Sequence, residues 1–464
     1  MNVHVLGIAG AGVSALASIL VSQGARVTGS DEGVFPPVST YLQRLGVPFH
    51  THFAADNVPD DLDLAIVGTT AKLGAENPEL AELTRQGVPM RTFAAQLGEM
   101  TAGRENLVVA GSFGKSSLTA LLAFVCRNAG LDPGHFIGAV PLDLPVTGHW
   151  GAHPLFLMEG DEYVVSLSDR RSKFELYRPA HALISSLVHD HVNMFPTFEA
   201  YAAPFAKLVA AVPEEGLLVC ARGHERLAEI VAGRRVVWYG ADDGGDGYRA
   251  ENVVLGEVSR FDLVTPAGGR AVIETQLLGM HNIENIVGAA AFVLERGLMS
   301  PGLFADGVAK FRGVARRLDK KTTVSRVPAY EGFGSSNEKA RSAIEAISAH
   351  FPSRRQIVVF EPHTFSWRNR DALAWYDTVF RGVDCVFVLP PPMHGADDRQ
   401  IDQAAILQRV AMSGTAVVGA RDAADVLQGL SARLIGDEVV LLLSSGPLEG
   451  LAVSAPALLD RMFG

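Results

Sequence analysis

Apolar positions along the chain gather in short unbroken runs, each followed by a turn and a stretch with helical spacing. The first is Val3-His4-Val5-Leu6-Gly7, followed by glycines and an apolar helical stretch to about Gly24. Arg26–Gly29 and Leu64–Gly68 repeat the pattern. It restarts at Leu107–Ala110, Phe156–Met158 and Ala182–Ile184, and again at Gln356–Phe360, Cys385–Leu389 and Val439–Leu443. Continuous apolar strands alternating with helices predict α/β folding on parallel sheets buried on both faces. The polar break Thr101–Arg104 and the basic stretch near Arg317 divide the chain into expected domains at 1–104, 105–318 and 319–464. Residues 215–275 have shorter β-like runs and many turn residues, which predicts an antiparallel appendage.

Length agrees: 464 residues make about three domains at roughly 150 residues each. The formal net charge of −11 argues against general affinity for nucleic acid or anionic membranes. It leaves room for phosphate ligands, which backbone N–H groups can hold on an acidic protein. No apolar run is long enough to span a membrane. The apolar first twenty residues lack a basic start, the first arginine being Arg26, and read as strand–turn–helix rather than a signal peptide. Cys126, Cys220 and Cys385 are far apart and sit in or beside apolar runs, so three buried free thiols in a reducing cytoplasm are expected.

Two glycine turns carry candidate chemistry. Gly10-Ala11-Gly12-Val13-Ser14-Ala15 follows a strand and opens a helix. Gly10 is expected to make the turn, Gly12 to admit a phosphate against the backbone, and Ala15 to allow close packing. Asp31, after the second strand, stands where an acid can bond a ribose hydroxyl. The motif serves NAD and a UDP-sugar equally, and a turn without ligand is the bland alternative. Gly111-Ser112-Phe113-Gly114-Lys115-Ser116-Ser117 is shorter than the general phosphate loop but keeps Gly-Lys-Ser at a strand–helix junction. Its N–H groups suit a phosphate, Lys115 a point charge on the terminal phosphates, and the Ser116 hydroxyl a Mg²⁺ shell.

Together the loops resemble those of the Mur ligases, ATP-dependent amide synthetases of peptidoglycan assembly, over nearly the whole chain. Ser30–Thr40, Phe136–Leu142, Glu159-Gly160-Asp161-Glu162-Tyr163, Asp169–Phe174 and Asp190-His191 with Phe195-Pro196 resemble the muropeptide-recycling branch most closely, then the alanine-adding branch. The resemblance implies three domains: Rossmann-like, a phosphate-loop ATPase, and Rossmann-like again. It implies a UDP-sugar at Gly10, Ala11, Gly12, Val13, Ser30 and Asp31. It implies ATP at Gly111, Gly114, Lys115, Ser116, Ser117, His281, Asn282, Asn285 and Arg317, with Asn285 reading the base and Arg317 reaching the γ-phosphate. Mg²⁺ is implied at Ser116, Glu159 and His191, and catalysis at Lys115, Glu159, His191 and Arg317.

The implied partners are a UDP-sugar and an amino acid or short peptide, on a cytoplasmic monomer or weak homodimer. The implied reaction phosphorylates the sugar-linked carboxylate and lets an amine displace phosphate. Three segments depart from the family. Phe113 replaces a histidine. Glu331-Gly332-Phe333-Gly334-Ser335-Ser336-Asn337 stands where relatives have two aspartates, two histidines and a proline. His363 lacks the arginine that follows it in the alanine-adding branch. Lys207, near a position where other family members carry a carbamylated lysine, is expected to be an ordinary surface lysine.

Overall fold

A computed structural model describes residues 1–34, 38–69, 73–74, 76–166, 169–191, 194–241, 245–393 and 398–464. Phe35, Pro36 and Pro37 of the Ser30–Thr40 segment lie outside the described residues. The chain separates into two compact units, the first built from 1–253, 260–275 and 281–314, the second from 254–259, 276–280 and 315–464.

The first unit holds two sheets. The smaller contains β1 (Asn2–Leu6), β2 (Arg26–Ser30), β3 (Phe49–His50), β4 (Leu64–Val67) and β5 (Met90–Thr92), in the order β3-β2-β1-β4-β5 and all parallel. The larger contains β6 (Glu105–Ala110), β7 (Pro133–Phe136), β8 (Gly148–His149), β9 (His153–Glu159), β10 (His181–Ile184), β11 (Leu218–Ala221), β12 (Val236–Gly240), β13 (Tyr248–Val254), β14 (Ser259–Val264) and β15 (Arg270–Thr275). Its order is β15-β14-β13-β12-β11-β10-β6-β9-β7-β8. The antiparallel appendage expected for 215–275 is corrected over its first three strands. β11, β12 and β13 continue the sheet in parallel beside β10. Leu218–Ala221 is buried at all four positions, as a strand covered on both faces must be.

One apolar core runs through both sheets, from Val5, Leu16 and Phe93 to Phe136, Phe156 and Phe205. The helix Ala11–Ser22 seats against β8, where a Cβ on Gly148 would stand 1.9 Å from the Ala15 carbonyl oxygen, and Ser18 Oγ donates to the Gly148 carbonyl at 2.7 Å. Close packing at Ala15 is therefore real, with β8 as the neighbour.

Behind β1 and β2 lies a polar hub. Glu79, fully buried, accepts from Ser30 Oγ, from Asn57 Nδ2 at 2.8 Å and from the Ala54 N–H at 3.2 Å, with His4 Nε2 at 3.3 Å. Burial raises the carboxyl pKa, but these partners outweigh it and hold the group below its ordinary value. A folded-state pKa below the unfolded one gives stability that is full above pH 4.5 and fades as pH falls through the lower value. Glu79→Ala strands the buried Ser30 and Asn57 donors and the Ala54 N–H, and should cost on the order of 3 kcal/mol. Thermal melting should show the loss at pH 7 and a smaller difference from the parent at acid pH.

The second unit holds a six-stranded sheet of β16 (Arg317–Lys320), β17 (Ala329–Gly332), β18 (Arg355–Phe360), β19 (Cys385–Val388), β20 (Ala416–Gly419) and β21 (Glu438–Leu443). The order is β16-β17-β21-β18-β19-β20, parallel except for β16. All three cysteines are free and buried, and burial pushes the Cys126 and Cys220 thiols up to about 12. Among the described residues no helix is long and apolar enough to cross a membrane.

Candidate active site

The phosphate loop leaves the carboxyl end of β6, between β10 and β9, and opens the helix Lys115–Asn128. Gly111 has φ +143°, and a Cβ there would lie 2.2 Å from Ser185 Oγ. Gly114 is the helix N-cap at φ +83°, and its Cβ would meet Asn285 Oδ1 at 2.6 Å. The loop is pinned to the turn after β10. The Phe113 N–H donates to Ser186 Oγ at 2.9 Å, and Ser185 Oγ donates to the Phe113 carbonyl at 2.5 Å. No side-chain hydrogen bond caps this helix, and a helix start of this kind suits an anion. The Phe113 side chain is half exposed.

Lys115 Nζ donates to the Gly111 carbonyl at 2.6 Å and lies 2.7 Å from Glu162 Oε2 as an ion pair. Ser116 Oγ donates to Glu159 Oε1 at 2.8 Å, and the Gly138 N–H donates to Glu159 Oε2 at 2.6 Å. Ser117 lies on the same first turn, half-buried. Ser116 and Glu159 are thus brought together as expected. His191 is placed on Glu162, its Nε2 3.4 Å from Oε1, with its ring edge-on to Tyr163. The Glu162 carboxylate raises the His191 pKa. A metal ligand must shed that proton first.

The oxygens of Ser116 and Glu159 have the hard-donor chemistry Mg²⁺ prefers. Mg²⁺ is commonly held by one or two carboxylates together with substrate phosphates. Among the described residues no trio of His, Cys, Asp or Glu forms a cage of its own.

The first glycine turn differs in detail from expectation. The tight turn is at Gly7, φ +76°, while Gly10 is extended and caps the helix without a side-chain bond. Gly12 is closely flanked by two rings, since its Cβ would lie 3.1 Å from Phe93 and 3.2 Å from Phe136. Asp31 Oδ2 accepts from the Ala9 N–H at 3.0 Å and so braces the loop. Ala11 is exposed at the head of the helix, but the Val13 side chain is in the core. Ser30 is fully buried with its hydroxyl on Glu79.

In the helix Met280–Glu295, His281 is exposed, while Asn282 and Asn285 are buried and joined by Asn285 Nδ2 to Asn282 Oδ1 at 3.2 Å. Asn285 lies inside the helix beside Gly114. In the second unit, Arg317 is exposed on β16. Its neighbour Arg316 is tied to the Ser444 and Gly446 carbonyls at 3.0 and 2.7 Å, and to Glu331 at 3.3 Å. Glu331 also holds Lys321 at 2.9 Å. At Gly332, where relatives have an acid, a Cβ would meet Leu443 at 3.2 Å and Leu318 at 3.5 Å. A carboxylate there would face leucines. Lys207 is exposed and pairs with Glu175 at 2.9 Å, as a surface lysine does.

Sequence reasoning missed Glu162 as a site residue. It is buried, touches both Lys115 and His191, and lies three residues after Glu159. It also missed Lys173, which pairs with Asp161 at 2.5 Å beneath the rings of Phe93 and Tyr163.

Residues 2–105 match the Mur ligase family catalytic domain and residues 109–293 the Mur ligase middle domain. The UDP-N-acetylmuramate–L-alanine ligase of Paenarthrobacter aurescens (strain TC1) is 34% identical over 80% of this chain and 78% of its own. That of a Nocardioides species is 31% identical over 99% and 96%. The crystal structure of the UDP-N-acetylmuramate-alanine ligase of Thermotoga maritima superposes with a TM-score of 0.80 at 20% identity, covering 98% of each chain. The UDP-N-acetylmuramate:L-alanyl-γ-D-glutamyl-meso-diaminopimelate ligase of Neisseria meningitides gives a TM-score of 0.61 at 28% identity, over 68% of this chain and 99% of that one. Three α/β sheets, a phosphate loop on the central one and these relatives define an ATP-dependent acid–amino-acid ligase. The chain belongs to the Mur ligase family.

Proposed function

We propose that this ligase works in the cytoplasm on UDP-N-acetylmuramate, joining L-alanine to its carboxylate. The carrying observation is the Lys115–Glu162–His191 and Ser116–Glu159 cluster at the head of β6, built on buried carboxylates, in a chain 31% identical end to end to a ligase of that name. The division at 1–104, 105–318 and 319–464 belongs to this reading, as UDP-sugar, ATP and amine domains.

The N–H groups at Gly10, Ala11 and Gly12 face the UDP-sugar, with Asp31 bracing the loop. Gly111, Gly114, Lys115, Ser116 and Ser117 hold the ATP phosphates. His281, Asn282 and Asn285 line the base. Ser116, Glu159 and deprotonated His191 would hold Mg²⁺, which supplies charge neutralisation to the phosphates. The sugar-linked carboxylate oxygen attacks the γ-phosphorus and ADP leaves with the bridging oxygen. Lys115 neutralises charge as that bond breaks. The amine nitrogen then attacks the acyl carbon, and phosphate departs with the electrons of the C–O bond.

A second amine, the L-Ala-γ-D-Glu-diaminopimelate tripeptide, is favoured by the Asp169–Phe174 segment, with Lys173 held on Asp161, and by the 28% identical recycling ligase. ADP and phosphate release with Mg-ATP, UDP-N-acetylmuramate and either amine decides. Release that needs L-alanine supports the first reading, and release that needs the tripeptide supports the second. Turnover with neither removes both and points to another amine, as the changed 332–337 stretch would allow.

A further inference from the structure

Tyr201, on the helix Phe198–Ala211, is fully buried among Phe195, Phe205 and His189. Its hydroxyl has two acceptors within reach: Ser112 Oγ of the phosphate loop at 2.9 Å and Glu162 Oε1 at 3.4 Å. Burial and the nearby Glu162 charge raise the phenol pKa, so the hydroxyl keeps its one proton and donates once.

Ser112 Oγ is well supplied without Tyr201, because it donates to the Val188 carbonyl at 2.7 Å and accepts from the Val188 N–H at 2.8 Å. Glu162 is supplied differently. Among the described residues its ion-pair partners are Lys115 at 2.7 Å and His191 at 3.4 Å. Lys115 is also the ammonium that the bound-nucleotide reading turns toward a phosphate. Each contact that Lys115 makes with a phosphate therefore draws it off a carboxylate that is 1% exposed. A buried charge that loses its nearest cation is costly to leave under-supplied, and a donor poised 3.4 Å away can offset the loss.

We propose that Tyr201 is a positioning residue, a hydrogen-bond switch whose proton moves from Ser112 to Glu162 when Lys115 leaves Glu162 for the nucleotide. No bond to hydrogen is broken, since the hydroxyl only rotates. The inference rests on the ligase reading only in placing phosphate at Lys115.

The test is a double-mutant cycle on AMP-PNP affinity with Mg²⁺, measured by calorimetry, using Tyr201→Phe, Glu162→Gln and the pair. Tyr201→Phe should weaken AMP-PNP binding about tenfold, which at about 1.4 kcal/mol per decade matches one hydrogen bond to a charged group. In the Glu162→Gln background, where no charge needs the proton, the same change should shift affinity less than twofold. Equal losses in both backgrounds would assign Tyr201 to the loop alone and overturn the switch. So would an unchanged affinity, a Tyr201→Phe chain that no longer folds, or a parent chain that does not bind AMP-PNP. A parent chain that binds AMP-PNP but joins neither amine would end the ligase reading while the cycle still decides the switch.

Discussion

Lys115→Met should reduce ADP release by on the order of 10²–10³, the scale of losing one preorganised electrostatic donor to a transition state. The same variant should melt earlier, for a separate reason. Lys115 is the cation against Glu162, and Glu162 is buried. Breaking a buried pair from one side leaves the other charge uncompensated, which in general costs about 3–5 kcal/mol. Here Lys115 is 15% exposed, and His191 and Tyr201 remain within 3.4 Å of the carboxylate. The loss should therefore be smaller, about 2 kcal/mol. The two effects separate in the double variant Lys115→Met/Glu162→Gln. Removing the orphaned charge should return most of the melting temperature and none of the turnover. Recovery of turnover in the double variant would mean that Lys115 serves to neutralise Glu162, with no part in handling phosphate.

That pairing also marks where sequence stopped being informative. The phosphate loop was legible because its chemistry is local: a strand ending in Val-Val-Ala, then Gly-Lys-Ser, then a helix. The strands were legible for the same reason, since a run such as Val439–Leu443 has no polar face to turn to water. Glu162 was not, because a glutamate three places from a recognised one reads as a solvated charge. Only the order β10-β6-β9 sets it opposite Lys115. Ser185 and Ser186 lie more than seventy residues from the loop they pin and belong to no motif of it. Gly12 fits the nucleotide pattern, yet its small size also eases a tight approach to Phe93 and Phe136, which a local pattern cannot contain. Ser30 sits beside Asp31 in sequence, but alternation along β2 turns its hydroxyl to Glu79. The direction of β11 to β13 was missed because short strands between turn-rich segments carry little sign of parallel or antiparallel pairing.

Alanine at either loop glycine should damage nucleotide use, and the two sites should differ in degree and in remedy. At Gly114 the backbone is left-handed, φ +83°, which costs an L-residue about 1–2 kcal/mol. The new methyl would also press on Asn285 Oδ1 at 2.6 Å, the far end of a side chain that can shorten or move. Gly114→Ala should raise the KM for ATP about tenfold, the effect of one such penalty. Adding Asn285→Ala should relieve the clash but leave the backbone strain, so recovery should be partial. At Gly111 the methyl would meet Ser185 Oγ at 2.2 Å and the Ser186 backbone nitrogen at 2.9 Å, at φ +143°. The backbone of β10's following turn has no side-chain torsion with which to yield. Ser185→Ala should therefore rescue Gly111→Ala little, and Gly111→Ala alone should lower kcat/KM for ATP by at least about 10²-fold, since small displacements of positioning groups reach that size. Steady-state kinetics on the four variants checks both claims. A Gly111→Ala enzyme milder than Gly114→Ala would show that the turn after β10 gives way, and that the Ser185–Ser186 pinning does not hold the phosphate loop in place.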